Sequence, residues 1–425
     1  MNWLQRIDRA GDGIVVDCVL YACSAIFAWF TIQSTLPAHR PWGAVATFGY
    51  AAAAVIAGCQ LLARQSRVPS SLHPSSAGTL TSTSARVSVT LGAWVLVGLV
   101  PLLLGAVQRA AGRTDRAQEE VLVVEESARR LVEHGTPYLS RTEIATLPDP
   151  LLGYDPYQPG MAAFGLPKVL LGEHWFTDAR IWFALVTAAC LAVALRVGTP
   201  AAVRALQALT VIPVAALTLA TGGDDLPVLA LMVLSLAYLA RGRDAAAGLT
   251  LGVAASLKLF AWPVAVVVAL TRPNRALLIP LLTVPVLTAL PPLLVNPGAF
   301  VENVLAFPLG HGLVTSPAAS PLPGHLLATS VPGGRYIALA LLGVTACALG
   351  WWVLRRPPRT AAAASTICAV GLLAAMLLMP ATRFGYLLYP VTFALWVPYL
   401  TSIESRSEDD TTRVGVMNGS GDGWR

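Results

Sequence analysis

Charge is what this chain has least of. Only 12% of its 425 residues are Asp, Glu, Lys or Arg, against 55% hydrophobic, and the mean hydropathy is +0.64. A soluble chain of this length needs roughly 25% charged residues on its surface, so an array of soluble domains is excluded. Cysteine is scarce too: the six stand at 18, 23, 59, 190, 347 and 368, each inside an apolar run. That placement argues against a disulfide framework, and without a CxxC paired with His it argues against zinc; no metal site and no cofactor are expected. The excess of 29 basic over 23 acidic residues follows membrane topology rather than a nucleic-acid partner. What remains is an all-α polytopic membrane protein.

About 20 apolar residues cross a bilayer as a helix, and the runs that qualify are Ile14 to Ser34, Gly43 to Ala63, Ser88 to Gln108, Ile181 to Leu195, Leu206 to Thr221, Leu226 to Ala240, Ala276 to Val295, Tyr336 to Leu354, Ala361 to Met379 and Phe384 to Leu400. Ala245 to Leu270 is apolar except for Lys258 at its middle, and it has Arg241 and Arg243 before it and Arg272 and Arg275 after it. One straight span would strand a basic cluster on the wrong side, so two short helices meeting near Lys258 are expected, giving about twelve crossings. A cytoplasmic N-terminus puts fourteen arginines on one face: 6, 9, 64, 67, 86, 196, 204, 241, 243, 272, 275, 355, 356 and 359. The C-terminal tail falls there too. The first run has full span length and lacks a small-residue cleavage site, so it is expected to stay in the membrane.

The chain then divides into N-terminal membrane helices with a cytoplasmic linker (1–108), an extracytoplasmic loop (109–178), central membrane helices (179–295), a Pro-rich extracytoplasmic loop (296–334), C-terminal membrane helices (335–401) and a mobile cytoplasmic polar tail (402–425). The first loop holds eleven of the 23 acidic residues. Within it Val121, Val124, Ala128, Leu131 and Val132 recur at helical spacing, with Glu125, Glu126, Arg129, Arg130 and Glu133 opposite, so an amphipathic helix on the membrane surface is expected. A Gly135-Thr-Pro-Tyr138 stop and a Tyr154-Asp-Pro-Tyr157-Gln-Pro-Gly160 turn follow. In the second loop six prolines predict extended segments without a helix, presenting His311 and His325.

Ionisable groups at membrane depth are costly and therefore candidates for function. Asp178 with Arg180, Asp224 with Asp225, Lys258 and Arg383 all fall on the outer side, beneath the acids of the first loop. Cations there suit a phosphate, and a carboxylate suits removal of a hydroxyl proton. Other readings stand beside these: Asp178, Asp224 and Asp225 as helix caps, Arg383 as an interfacial arginine, and Tyr154 and Tyr157 as aromatic-belt anchors rather than sugar platforms. Asp17, inside the first span, is expected to pair with another helix.

The order Glu119-Glu-Val-Leu-Val-Val-Glu125, Gly135-Thr-Pro-Tyr138, Tyr157-Gln-Pro-Gly-Met161, Thr177-Asp-Ala-Arg180, Gly223-Asp-Asp225 and Ala247-Gly-Leu-Thr-Leu-Gly-Val-Ala-Ala-Ser-Leu-Lys258 resembles the actinobacterial alpha-mannosyltransferases of glycosyltransferase family 87, over roughly Gln118 to Pro390. The resemblance implies a GT-C membrane fold, an inverting mechanism and polyprenyl-phosphate-mannose as donor on the extracytoplasmic face. It implies a glycolipid or glycan acceptor as the other partner. The family's general base is an Asp about eighteen residues before a Gly-x-x-Tyr stop; counting back from Tyr138 reaches Glu120, with Asp115, Glu119 and Glu125 as neighbouring candidates. An imidazole in the late outer loop is also implied, which His325 or His311 would supply, His325 being preferred. Lys258, Arg383, Asp224, Asp225, Arg180, Asp178, Tyr157 and Glu125 complete the expected substrate contacts. A transporter or flippase of an envelope lipid is the alternative, although the single broken segment and unequal loops lack the paired halves transporters show.

Overall fold

The computed structural model describes residues 10–65, 82–196 and 198–419. Among them the secondary structure is helical, with one isolated bridge between Ala319 and Thr382. Among the described residues seven helices are long and apolar enough to cross a membrane, or eight if Pro200–Thr210 and Pro213–Thr221, bent by 41°, form one broken span. The other expected crossings, Ala179–Ala194, Asp225–Ala240, Asp244–Leu257 and Ala261–Thr271, are shorter, at 16, 16, 14 and 11 residues. At 1.5 Å per residue an 11-residue helix rises only about 17 Å, little more than half the hydrocarbon core. Most of the expected linker and the arginines 6, 9 and 67 lie outside the described residues.

Proline and side-chain capping explain where the helices bend and start. In Thr83–Ala110, Pro101 has no N–H to give Val97, four residues back, and the helix widens into a π turn over Val95–Leu99. The freed Val97 carbonyl accepts the Trp42 indole N–H at 2.7 Å, so the bend also locks the neighbouring span. Pro213 stops the preceding helix in the same way, and Val211 accepts the Tyr50 hydroxyl at 2.9 Å. Ser82, Thr199, Asn274 and Thr360 cap the helices that follow them.

Charged assemblies tie the helix ends together. At one end Asp17 accepts Arg86 at 2.6 Å, Gln207 at 2.9 Å and also Arg204, while Asp12 meets Arg64 at 2.8 Å. This network gives Asp17 its partners from two other helices. Asp244, bonded to Asn274 at 2.6 Å, and Arg272, 3.7 Å from it, join the two feet of the hairpin whose tip is Lys258. The broken segment therefore enters and leaves by one side, as its basic flanks imply. At the far end of the first two spans His39 meets Gln118 at 2.8 Å, just before the loop helix.

Three expectations need correction. The loop helix, Glu119–His134, packs Val121, Val124 and Ala128 onto the chain as its periodicity implies, but Glu125 and Arg130 are buried with them, so of its expected polar face only Glu126, Arg129 and Glu133 stay open. The second loop is not free of helix: Pro297–Val301 and Pro323–Ser330 each carry proline in the first turn, where its missing N–H costs nothing. Beyond 402 the last span continues as helix to Gly419.

Candidate functional site

The loop helix begins where Gln118 is tied down. Its N–H donates to the Thr221 carbonyl at 2.8 Å and its side-chain oxygen accepts the Thr221 hydroxyl at 3.2 Å. Gly223 has φ of +93°, the left-handed conformation that favours glycine, and a Cβ at Gly222 would meet that oxygen at 2.8 Å and displace the Gln118 side chain. Helix start and turn thereby hold Glu120 on one side and Asp224 and Asp225 on the other.

Lys258 closes the lower half. Its helix ends at Leu257, and the extended backbone at 258 sends the ammonium to Asp224 Oδ2 at 2.6 Å and to Asp225 Oδ1. Asp225 also accepts the Tyr389 hydroxyl at 2.5 Å. Neither acid caps its helix through the side chain, which leaves the ion triad as their role. The ammonium lies 5.2 Å from the Tyr157 ring and 5.9 Å from that of Tyr386, and Phe260 stacks on Tyr389 at 5.2 Å. The Tyr157 turn is seated by backbone contact: Gln158 N–H donates to Leu257 at 3.0 Å, and a Cβ at Gly160 would meet the Ser256 carbonyl at 2.7 Å.

The upper half is an ion pair between Arg383 and Glu120. Arg383 follows the short bridge in which Thr382 N–H donates to Ala318 at 2.9 Å and Ser320 N–H donates to Thr382 at 2.9 Å, so the Pro-rich second loop positions it. Burial works against the Arg383 charge, but Glu120 and then Tyr386 hold its pKa above the ordinary guanidinium value. The Tyr157 phenol is pushed well above its usual range by burial first, then by Asp224 and Glu120, whose charges both reach it. Glu120, Arg383, Tyr157, Asp224, Asp225 and Lys258 thus converge on one cluster. Tyr386 and Tyr389, which sequence reasoning missed, complete it.

The remaining expected ligands lie elsewhere. Glu125 takes Arg109 at 2.7 and 2.9 Å, Lys168 at 2.9 Å and the Ala179 N–H at 3.3 Å, so both its oxygens are used. Asp178 caps its helix through Arg180 N–H and pairs with the guanidiniums of Arg180 at 2.7 Å and Arg109 at 2.8 Å. Arg180, with no exposed surface, spends its other donor on the Arg116 and Ala220 carbonyls. These three residues, expected to meet substrate, fasten the loop helix to the bundle. Although burial opposes it, Arg180 and Arg109 bring the Asp178 carboxyl down to about 2. Glu125→Gln should therefore lower the melting temperature of the purified protein, by the ~3–5 kcal/mol that a broken buried pair costs, and leave the acceptor KM of the folded fraction unchanged. A raised KM with full stability would return Glu125 to substrate binding.

His325 donates Nδ1–H to the Pro380 carbonyl at 2.9 Å and so packs on the segment leading to Arg383, without touching the cluster. His311 is exposed, and its carbonyl receives Arg141 at 2.9 Å. Asp115 pairs with Arg113 and Arg116 at 3.1 and 2.6 Å.

Beneath Tyr157, Asp155 accepts the Ser127 hydroxyl at 2.7 Å and the Tyr157 N–H at 3.0 Å. Burial raises its carboxyl to about 7, and those bonds offset only part of the rise. A carboxyl raised in the folded state binds more protons folded than unfolded, so its stability contribution is complete below about 4 and declines as pH climbs through 7. The full loss is on the order of 4 kcal/mol. Melting curves from pH 5 to 8 should show the wild type weakening and Asp155→Asn staying level; parallel curves would contradict this.

A helical membrane protein with a charged and aromatic cluster between the loop helix and the hairpin broken at Lys258 is the class the structure defines. The chain belongs to glycosyltransferase family 87, whose model matches residues 156–380, more than half its length. The match includes Tyr157, Asp224, Asp225 and Lys258 and stops just before Arg383; Glu120 lies outside it. The crystal structure of ArnT from Cupriavidus metallidurans in the apo state is similar at 20% identity and a TM-score of 0.42, over 77% of this chain. The chain spans 60% of the length of that structure. No curated protein matches it.

Proposed function

We propose that the protein is a GT-C-type enzyme that moves a hexose, mannose by its family resemblance, from a polyprenyl-phosphate donor to a hydroxyl of a cell-envelope glycolipid or polysaccharide, with inversion at the anomeric carbon. The observation that carries this reading is the Glu120–Arg383 pair standing beside the Lys258 triad around Tyr157. Glu120 takes the acceptor proton as the acceptor oxygen bonds to the anomeric carbon from the face opposite the phosphate. The bond from that carbon to the phosphate oxygen breaks, and its electron pair leaves on the phosphate.

Arg383 is the cation best placed to meet that charge. The expectation that Lys258 holds the phosphate changes in the light of its two carboxylates, which already outweigh its charge. Among the described residues Arg383 has a single ion-pair partner, Glu120. A donor phosphate that draws the guanidinium toward itself would release a Glu120 oxygen for the acceptor hydroxyl, linking donor arrival to readiness of the base. Lys258 then fixes Asp224 and Asp225 as acceptors for sugar hydroxyls.

The basic end of the bundle, with Arg64, Arg86 and Arg204, faces the cytoplasm under the positive-inside rule, which puts both termini there and the cluster outside. Purified protein in liposomes, given radiolabelled polyprenyl-phosphate-mannose and an envelope lipid extract, should transfer label to an acceptor. Movement of lipid across the bilayer without transfer would favour the transporter reading.

A further inference from the structure

We propose that Asn303, in the second loop, is the positioning residue for Tyr157, and that its buried amide fixes how the Tyr157 ring stands against Lys258. This deepens the transferase reading above and rests on it. Asn303 has no exposed surface and belongs to neither ion pair of the cluster, so it acts on the cluster through other residues.

A change of helical pitch places it. The short helix Pro297–Val301, capped by the Asn296 side chain, widens into a π turn over Glu302–Ala306, in which Phe307 N–H donates to Glu302 at 2.9 Å, five residues back. Within that turn the Asn303 side chain makes three hydrogen bonds. Its two amide hydrogens go to the carbonyls of Leu139 and Ala299, each at 2.8 Å, and its oxygen accepts the Asp155 N–H at 2.8 Å. The partners fix which way the amide points, since turning it over would set oxygen against two carbonyls and nitrogen against an N–H.

Both contacts outside its own helix lead to Tyr157. Asp155 accepts the Tyr157 N–H at 3.0 Å and so holds that residue from one side. Leu139 follows Tyr138, whose hydroxyl donates to the Tyr157 carbonyl at 2.8 Å and holds it from the other. The Tyr138 ring meets Phe300 edge-on at 5.5 Å, on the helix that leads to Asn303. Pro156 has no N–H and Gln158 N–H donates to Leu257, so every backbone N–H from 155 to 158 is committed. The ring so held stands 5.2 Å from the Lys258 ammonium. Through the bridge between Ala319 and Thr382 the same loop also positions Arg383, so it grips both halves of the cluster.

Losing the Asn303 amide strips three buried backbone groups of a partner, and the peptide at Asp155 must turn to recover one. Tyr157, two residues on, moves with it. A misplacement of about 1 Å remote from the reacting bond can cost roughly 10²-fold in rate, so the loss falls on turnover while Arg383 still meets the phosphate.

The test uses the full chain in liposomes with labelled polyprenyl-phosphate-mannose, an envelope lipid extract as acceptor, and bare polyprenyl phosphate as the binding probe. Asn303→Ser should lower kcat at least tenfold, leave affinity for the bare probe unchanged within twofold, and speed amide hydrogen exchange over residues 154–158 at least tenfold. Asn296→Ala, which removes the cap of the same short helix and touches neither hold on Tyr157, should leave kcat and that exchange as in the wild type. Tyr157→Ala should also lower kcat, and adding Asn303→Ser to it should cost less than a further twofold, because the effect passes through the ring. Losses that multiply would make Asn303 a structural residue only and overturn the proposal, as would faster exchange with wild-type kcat. If Asn303→Ser does not fold, Tyr138→Phe removes one hold with little change of volume; a tenfold fall in kcat that disappears in the Tyr157→Ala background supports the proposal, and wild-type kcat overturns it. Absence of transfer by the wild type, with exchange still faster in Asn303→Ser, would overturn the transferase reading and keep the hold on Tyr157.

Discussion

Glu120→Gln should lower the transfer rate by on the order of 10²–10⁴, the usual contribution of a positioned general base, with the donor still bound. Glutamine keeps the shape of the side chain and an amide oxygen that accepts from the still-charged, partly exposed Arg383, so the ion pair becomes a single hydrogen bond and the bundle stays folded. Single-turnover rates with labelled donor, read against donor affinity in the same preparation, separate chemistry from binding. Among the acids near this point in the chain, Asp115 is occupied by two arginines and Glu125 by Arg109 and Lys168, whereas Glu120 faces the cluster. Near-normal turnover in the variant would remove Glu120 from the base role and direct attention to Asp224, which accepts from Lys258 through Oδ2.

How much of this was legible before the structure depends on whether each residue's partner is near in sequence. The hairpin at Lys258 was readable because its constraint is local: arginines on both flanks and one lysine between apolar stretches. The Gly135 stop was readable for the same reason, and Gly135 does end the loop helix with φ of +73°. Glu125 and Arg130 were misread because helical periodicity cannot show that Arg109 and Lys168 come to meet a carboxylate that a solvated face would otherwise carry. The prolines of the second loop were misread because two of them sit at first helical turns, where proline is favoured, and the pattern of spacing alone does not distinguish that from an extended run. Tyr386 and Tyr389 left a signal that went unused: they stand three and six residues after Arg383, a spacing that puts all three near one helical face.

Lys258→Met should be more damaging to the fold than any change at Glu120. It leaves Asp224 and Asp225 buried side by side without their cation, and breaking a buried pair in this way costs roughly 3–5 kcal/mol. The folded yield in detergent should collapse. The triple variant Lys258→Met with Asp224→Asn and Asp225→Asn removes the charges together, so the desolvation penalty goes with them and the yield should recover toward that of the wild type. Transfer should not recover, because the triad fixes the carboxylates proposed to hold the sugar, and the loss should appear with donor affinity for the bare polyprenyl phosphate retained through Arg383. If the triple variant folds and transfers sugar normally, the triad is only a structural support and the sugar contacts must come from elsewhere in the cluster. If it folds and loses polyprenyl-phosphate binding instead, Lys258 is the phosphate's partner after all, and the division of labour between it and Arg383 is the reverse of the one argued here.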